Sequence, residues 1–192
     1  MVRRILVVVI LAAVAYAVLD PGAVSKLLAD RPLLTSDETV VLSTVLDHLH
    51  PGDGPILGVA EVARGLVGDE SEVDRGGAKT LDVAIVDEAA KSYVERNTDV
   101  GWLPADFTCA ATLRLLGEDD YAPLIAPGGA RAVMQADVGV LTEVGPVLYL
   151  SRPGFDINHS VAVVSLVDLK EIPSLRAWVW LERSESGWTV LR

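Results

Sequence analysis

Few residues in this chain have both the type and the spacing that chemistry needs. Cys109 is the lone cysteine, so neither an intrachain disulfide nor a cysteine zinc cage can form. No basic residue flanks it and no glycine-rich turn presents it, which favours a small buried apolar side chain over a nucleophile. His48 and His50 form an H-x-H pair. On a strand both rings would point one way. Here the pair ends a helical pattern, where i and i+2 diverge by about 200°, so it reads as a helix C-terminus favouring the dipole. Asp69–Asp74 is acidic enough for calcium but lacks the D-x-[DN]-x-[DN]-G spacing, and reads as a solvated loop. His159 and Asp156 lie far along the chain from Cys109 but could approach it in space, and they are the pair a small hydrolase would use. No G-x-S-x-G, G-x-x-x-x-G-K-[ST] or G-x-G-x-x-G is present. No metal and no other cofactor is expected.

Three further residues are candidates for binding: Trp178, Trp180 and Arg152. The two tryptophans stand at i and i+2 in a strand pattern and so share a face. Exposed, they would form a platform for a peptide, glycan or lipid. Covered by the amphipathic helices, they would be core. Arg152 needs a carboxylate if it is buried, and Asp156 and Glu182 are the nearest by pattern.

These residues must be positioned by recognisable elements. Thr35-Ser36-Asp37-Glu38 is a capping box, with Thr35 at N-cap and Glu38 at N3. The helix it starts carries Val41, Leu42, Val45 and Leu49 on one stripe and stops at Pro51-Gly52. Ile56 onward begins a strand. Thr80–Arg96 is helical, with Leu81, Ile85, Ala89 and Tyr93 on one face. Gly101–Ala111 is irregular, Tyr121–Ile125 is a short extended piece and Ala130–Ala136 a short helix. Four strands follow: Val147–Arg152, His159–Val167, Leu175–Arg183 and Trp188–Leu191. The second is apolar on both faces and should be central and doubly covered. Ser184–Gly187 is a hairpin loop with Gly187 where positive φ is needed, placing Leu181 opposite Val190 and Arg183 opposite Trp188. Leu175, Ala177, Val179, Leu181, Trp188 and Val190 then line one face, and Arg176, Trp178, Trp180 and Glu182 the other.

Composition and charge bound the rest. The chain has 192 residues, 51% hydrophobic and 5% aromatic, with a net charge of −11. That length fits one domain able to bury a core without staples. The acidic balance argues against nucleic acid, whose phosphates need a basic face. Arg3-Arg4 followed by the unbroken apolar run Ile5–Leu19 is an export pattern. The run would span roughly 22 Å as a helix, short for a ~30 Å hydrocarbon core. It therefore reads as a signal peptide cleaved at Ala15-Tyr16-Ala17 or as a short anchor. Residues 1–19 form this segment, 20–34 a tether and 35–192 one domain. The membrane is met only through residues 3–19.

The segment Ser151-Arg152-Pro153-Gly154-Phe155-Asp156, the strand Ser160–Val164 and the closing hairpin with Gly187-Trp188 together resemble an uncharacterised family of exported bacterial proteins. Those proteins carry an S-R-x-G-F segment and end in a G-x-W β-hairpin. The resemblance covers residues 39–192 loosely and 147–190 more closely, and it brings no catalytic residue with it. Their glycine-rich stretch before the last hairpin has no counterpart in Asp168–Ser174.

Within the motif, Pro153 and Gly154 read as a bend, Phe155 as a core ring, and Asp156 as a cap for turn backbone groups. Ser151, Arg152, Gly154, Phe155, Asp156 and Trp188 are thus expected to be structural. The expected fold is α+β, with helices on an antiparallel sheet built mainly by the C-terminal third. The expected role is that of an exported or membrane-anchored envelope protein that binds another envelope protein or a small ligand, or is structural. The alternative is a small envelope hydrolase using His159 and Asp156.

Overall fold

The computed structural model describes residues 31–52, 54–65, 69–125, 140–171 and 176–191. The chain divides after Pro32, and the unit from Leu33 to Arg192 carries the elements below. The export segment at 1–19, most of the tether and the short helix expected at 130–136 lie outside the described residues. Among the described residues, no helix is long and apolar enough to cross a membrane.

The fold is α+β. Helix α1 (Ser36–Leu49) is followed by β1 (Leu57–Ala63), helix α2 (Val83–Arg96), β2 (Gly101–Trp102) and β3 (Leu113–Leu116). Helix α3 (Glu118–Ile125) and a single turn α4 (Val140–Glu143) precede the C-terminal strands. These are β4 (Val147–Leu150), β5 (Gly154–Phe155), β6 (Val161–Asp168), β7 (Arg176–Ser184) and β8 (Gly187–Val190). One sheet runs β2-β1-β4-β6-β7-β8, with β3 beside β1 and β5 beside β6. It is mixed rather than antiparallel. The β4–β8 part is antiparallel, but β1 lies parallel to both β3 and β4. Parallel neighbours need long crossovers rather than tight turns, so no local signal announces them.

Strand β6 is the centre, buried along seven of its eight residues. One sheet face packs against α1 through Val41, Leu42, Val45 and Leu46, with Leu148, Leu150, Phe155, Val164 and Leu181 beneath. Leu46 takes the place expected for Leu49, which is 39% exposed. The opposite face carries two clusters. Ala89, Ala90 and Tyr93 of α2 cover Val161, Val163 and Trp180, while Tyr121 and Leu124 of α3 cover Ala60, Val147 and Tyr149. Helices thus sit on both sides of the sheet, which explains why β6 is apolar all round.

The closing hairpin has the expected register, Leu181↔Val190 and Arg183↔Trp188. Its loop is tighter than four residues because Ser184 and Gly187 themselves pair, and Gly187 sits at φ +116°. Tyr121–Ile125 is helical, not extended. An acidic first turn (Glu118–Asp120) suits the helix N-terminus, and Tyr121 and Leu124 bury at i, i+3 spacing despite Pro123.

Candidate functional site

The S-R-x-G-F segment crosses from β4 to β5, both of which pair with the same strand, β6. Between Leu150↔Leu166 and Gly154↔Val163, three residues (151–153) span two of β6. This is a β-bulge. Ser151 repairs the ladder there: its N–H donates to the Ser165 carbonyl (2.9 Å) and its Oγ accepts from the Ser165 N–H (2.8 Å). The Tyr93 hydroxyl joins them through Ser165 Oγ at 2.7 Å. Burial pushes the Tyr93 phenol up, against hydrogen bonds from Ser165 and Ser151. Asn97, at the end of α2, clips the bulge to the helix. Its Nδ2 donates to the carbonyls of Tyr93 (2.8 Å) and Arg152 (2.9 Å), and its Oδ1 accepts from the Arg152 N–H (2.8 Å).

Arg152 finds its carboxylate in neither Asp156 nor Glu182. It meets Glu38, 114 residues away in the chain, at 2.9 Å from Nη2 and 3.0 Å from Nε. Arg96 reaches the same Oε1 at 3.2 Å. Glu38 is 0% exposed, and its other oxygen accepts from the Thr35 N–H (2.8 Å) and hydroxyl (3.0 Å), completing the expected capping box. Burial alone would raise its pKa. The Thr35 N–H and the Arg152 guanidinium outweigh burial and hold it below the usual value. Sequence reasoning missed this partner, though a signal existed. Glu38 lies three, four and seven residues before Val41, Leu42 and Val45, so it falls on the helix's apolar stripe, where a carboxylate needs a cation.

Gly154 is not a positive-φ bend. The positive-φ glycines described are Gly52 and Gly187. A Cβ on Gly154 would collide with the backbone of α2 at Tyr93 and Ala89, so the glycine is there to let the helix touch the strand. Phe155 is buried, as expected, with its ring stacked on His159 at 4.7 Å, near Trp188 at 5.8 Å and under the Arg96 guanidinium at 5.1 Å.

The Asp156 carboxylate accepts from the N–H groups of Asn158 (3.1 Å), Ser160 (2.6 Å) and Val161 (2.6 Å), and from the Ser160 hydroxyl (2.9 Å). Burial works against its ionisation, but these donors prevail and its pKa is lowered. The acid expected of a hydrolase is therefore occupied in holding the β5–β6 turn. His159, at φ +53°, pairs through Nδ1 with Asp37 Oδ2 (3.4 Å) instead of with Asp156.

The two tryptophans do share a face, but they form no open platform. Trp180 is 1% exposed and its Nε1–H donates to the Asp74 carbonyl at 2.8 Å. Trp178 is half-buried, edge-on to Tyr93 at 5.1 Å, with the Arg176 guanidinium 5.9 Å from its ring centroid. The covering pieces are α2 and the 69–78 segment, which forms two short helical turns, an acidic one at Glu70–Glu72 and a second at Gly76–Ala78. Cys109 is half-buried, and burial raises its thiol pKa. Among the described residues no group of three or more His, Cys, Asp or Glu is placed to hold a metal.

Open concavities lie elsewhere, toward β1. A cleft of about 390 Å³ is lined by Arg64, Trp102, Glu118, Tyr121, Ala122 and Tyr149 among others. Tyr121 and Tyr149 meet edge to face at 5.9 Å. Burial pushes the Tyr121 phenol up to about 12, with Tyr149 and Glu118 adding to it, and burial raises Tyr149 as well. Both phenols are neutral O–H donors at neutral pH, and neither hydroxyl has a hydrogen-bond partner among the described residues. A second groove of about 330 Å³ runs beside β3. Compared with protein-family models, with curated proteins and with solved structures, the chain matches none.

Proposed function

We propose that this is an exported or membrane-anchored bacterial envelope protein whose folded domain binds a ligand rather than performing catalysis. The observation that carries the reading is the Tyr121–Tyr149 cleft. It joins aromatic walls to two phenol donors with no hydrogen-bond partner among the described residues, and Arg64 and Glu118 also line it. An apolar concavity with a few polar groups is the usual form of a small-ligand site. Its ligand would carry an apolar body and hydrogen-bond acceptors. The hydrolase reading draws no support from Asp156, whose acceptor capacity is spent on the turn.

Anilinonaphthalene sulfonate, apolar with an anionic acceptor, is the probe. Its fluorescence should saturate on the protein and fall at least 10-fold when Ala122→Trp fills the cleft without lowering the melting temperature. Fluorescence indifferent to that substitution would sink the reading. Export rests on Arg3-Arg4 and Ile5–Leu19. A C-terminal alkaline phosphatase fusion should be active outside the cytoplasm, and the intact mass should tell cleavage after Ala17 from an uncleaved anchor. Full-length soluble protein in the cytoplasm would overturn the localisation.

A further inference from the structure

We infer that the outer edge of β3 is a docking site for an extended strand of another protein, one that alternates apolar and basic residues. This goes beyond the ligand cleft, which lies on different residues. Leu57 N–H donates to the Thr112 carbonyl at 2.9 Å, and the parallel register is Leu57↔Leu113 and Val59↔Leu115. Along a strand, successive residues turn their amide and carbonyl groups to opposite sides. Residues 112, 114 and 116 therefore bond to β1, and the N–H and C=O of Leu113 and Leu115 point away from the sheet. Nothing among the described residues pairs with them.

The neighbouring edge is different. Leu33 bridges to Trp102 and the Leu34 N–H donates to the Trp102 carbonyl at 2.9 Å, so β2 is already covered. The open stretch ends where β3 ends. Natural sheets blunt such an edge with charge, proline or a covering segment. β3 instead turns two half-buried leucines toward a groove lined by Phe107, Thr108, Cys109, Ala111, Leu113 and Leu115. An added strand would gain main-chain hydrogen bonds from Leu113 and Leu115, and every second side chain would enter this groove.

The charge around the edge selects the occupant. Asp47 and Asp106 stand near the Thr108–Cys109 end, and Asp47 Oδ1 accepts from the Ala110 N–H at 2.5 Å. Glu118, Asp119 and Asp120 begin α3 directly after β3, with Glu61 near Gly117. On the other sheet face, Arg114 is already engaged by Glu143 at 2.7 Å. Both ends of the edge are thus acidic. A second copy of this chain, at −11, would bring like charge to like charge. A strand with lysine or arginine at alternate positions presents its apolar side to the groove and its basic side to the opposite sheet face, where α3 begins with Glu118, Asp119 and Asp120.

The test uses the full chain and an acetylated, amidated ten-residue peptide of alternating valine and lysine. Its valine–glutamate counterpart and a version interrupted by proline serve as controls. The valine–lysine peptide should bind at least 10-fold tighter than either control and weaken as salt rises. On binding, the amides of Leu113 and Leu115 should exchange at least 10-fold more slowly, while that of Arg114, already bonded, changes little. Leu115→Pro removes an outward N–H rather than one bonded to β1, and should abolish binding in a protein that still melts cooperatively. Because that variant also trims packing, the exchange pattern in the parent is the second, independent readout. Equal binding of the glutamate peptide, protection that misses residues 113 and 115, or concentration-dependent dimerisation through this edge would each overturn the inference. Loss of dye binding in the cleft would leave it untouched, so the two proposals fail separately.

Discussion

Two regions of the sheet, its middle and its β3 edge, solve the problem of polar backbone in opposite ways. At the β4–β5 bulge the ladder is broken by an extra residue, and side chains fill every gap. Ser151 bonds both ways to Ser165, Asn97 spans α2 and Arg152, and Asp156 takes four donors. Glu38, Arg96 and Arg152 then tie both helices to that point. At β3 the ladder is regular, yet its outer amides go unanswered among the described residues. A defect surrounded by partners is built to persist, while a regular edge without partners is built to be met. The contrast locates rigidity in the S-R-x-G-F region and recruitment near β1.

The comparison breaks first if the bulge region tolerates damage. Glu38→Ala strips two guanidinium groups of their shared carboxylate and the helix of its capping box. Leaving a buried charge uncompensated costs about 3–5 kcal/mol, and a lost cap about 1 kcal/mol more. Against a typical total of about 5–15 kcal/mol, the variant should be largely unfolded or melt far below the parent. Phe155→Ala follows at roughly 3–5 kcal/mol, since the ring is buried among His159, Trp188 and Arg96. Thermal or urea melts check both. If Phe155→Ala melts like the parent yet abolishes a biological phenotype, the segment is a functional surface and the structural assignment fails. Gly154→Val should cost at least about 1–3 kcal/mol, through a forced shift of α2 rather than through dihedral strain.

Acid sharpens the same contrast. Glu38 and Asp156 both titrate below their ordinary values of 4.5 and 3.8 in the folded state. The unfolded chain therefore binds more protons than the folded one in mild acid, and stability falls as pH drops. Their contribution is fully present above the ordinary values and disappears as pH passes down through the lowered ones. Urea midpoints should hold steady from pH 7 to about 5 and fall below about 4.5. Asp156→Asn should flatten part of that fall. An unchanged acid limb in Asp156→Asn would mean the turn is not held by its carboxylate.

How much of this was legible depends on how far apart the partners lie. The closing hairpin could be read because its register follows from a turn four residues long. The capping box and the doubly apolar β6 are equally local. β3 was missed because Leu113-Arg114-Leu115-Leu116 has no flanking turn signal, and its partner β1 lies more than fifty residues upstream in a parallel pairing. The sequence shows that a buried Arg152 needs a carboxylate, but the nearest by pattern are Asp156 and Glu182, whereas its partner Glu38 is in the first turn of α1. The tryptophans show the converse. Their shared face followed from strand parity, while their burial depended on α2 and the Asp74 segment folding over them. Gly154 was recognised as special for the wrong reason, because a glycine needed for helix approach leaves the same letter as one needed for a bend.

The smallest expected effect is also the most direct measure of the difference between the two regions. Each carries an arginine–carboxylate pair of nearly equal length, Arg152–Glu38 at 2.9 Å and Arg114–Glu143 at 2.7 Å. Distance alone would rank the second pair as stronger. Burial reverses the order, because the first pair has side chains 18% and 0% exposed and the second 45% and 67%. Water screens the exposed pair and competes for both partners, so Arg114→Ala should cost only about 0.2–1 kcal/mol, and less at high salt. A double-mutant cycle with Glu143→Ala should return a coupling in that range. A coupling of several kcal/mol, insensitive to salt, would mean that the β3 edge is clamped as firmly as the bulge. The edge would then be a finished surface, and the division between a persistent middle and a receptive edge would be wrong.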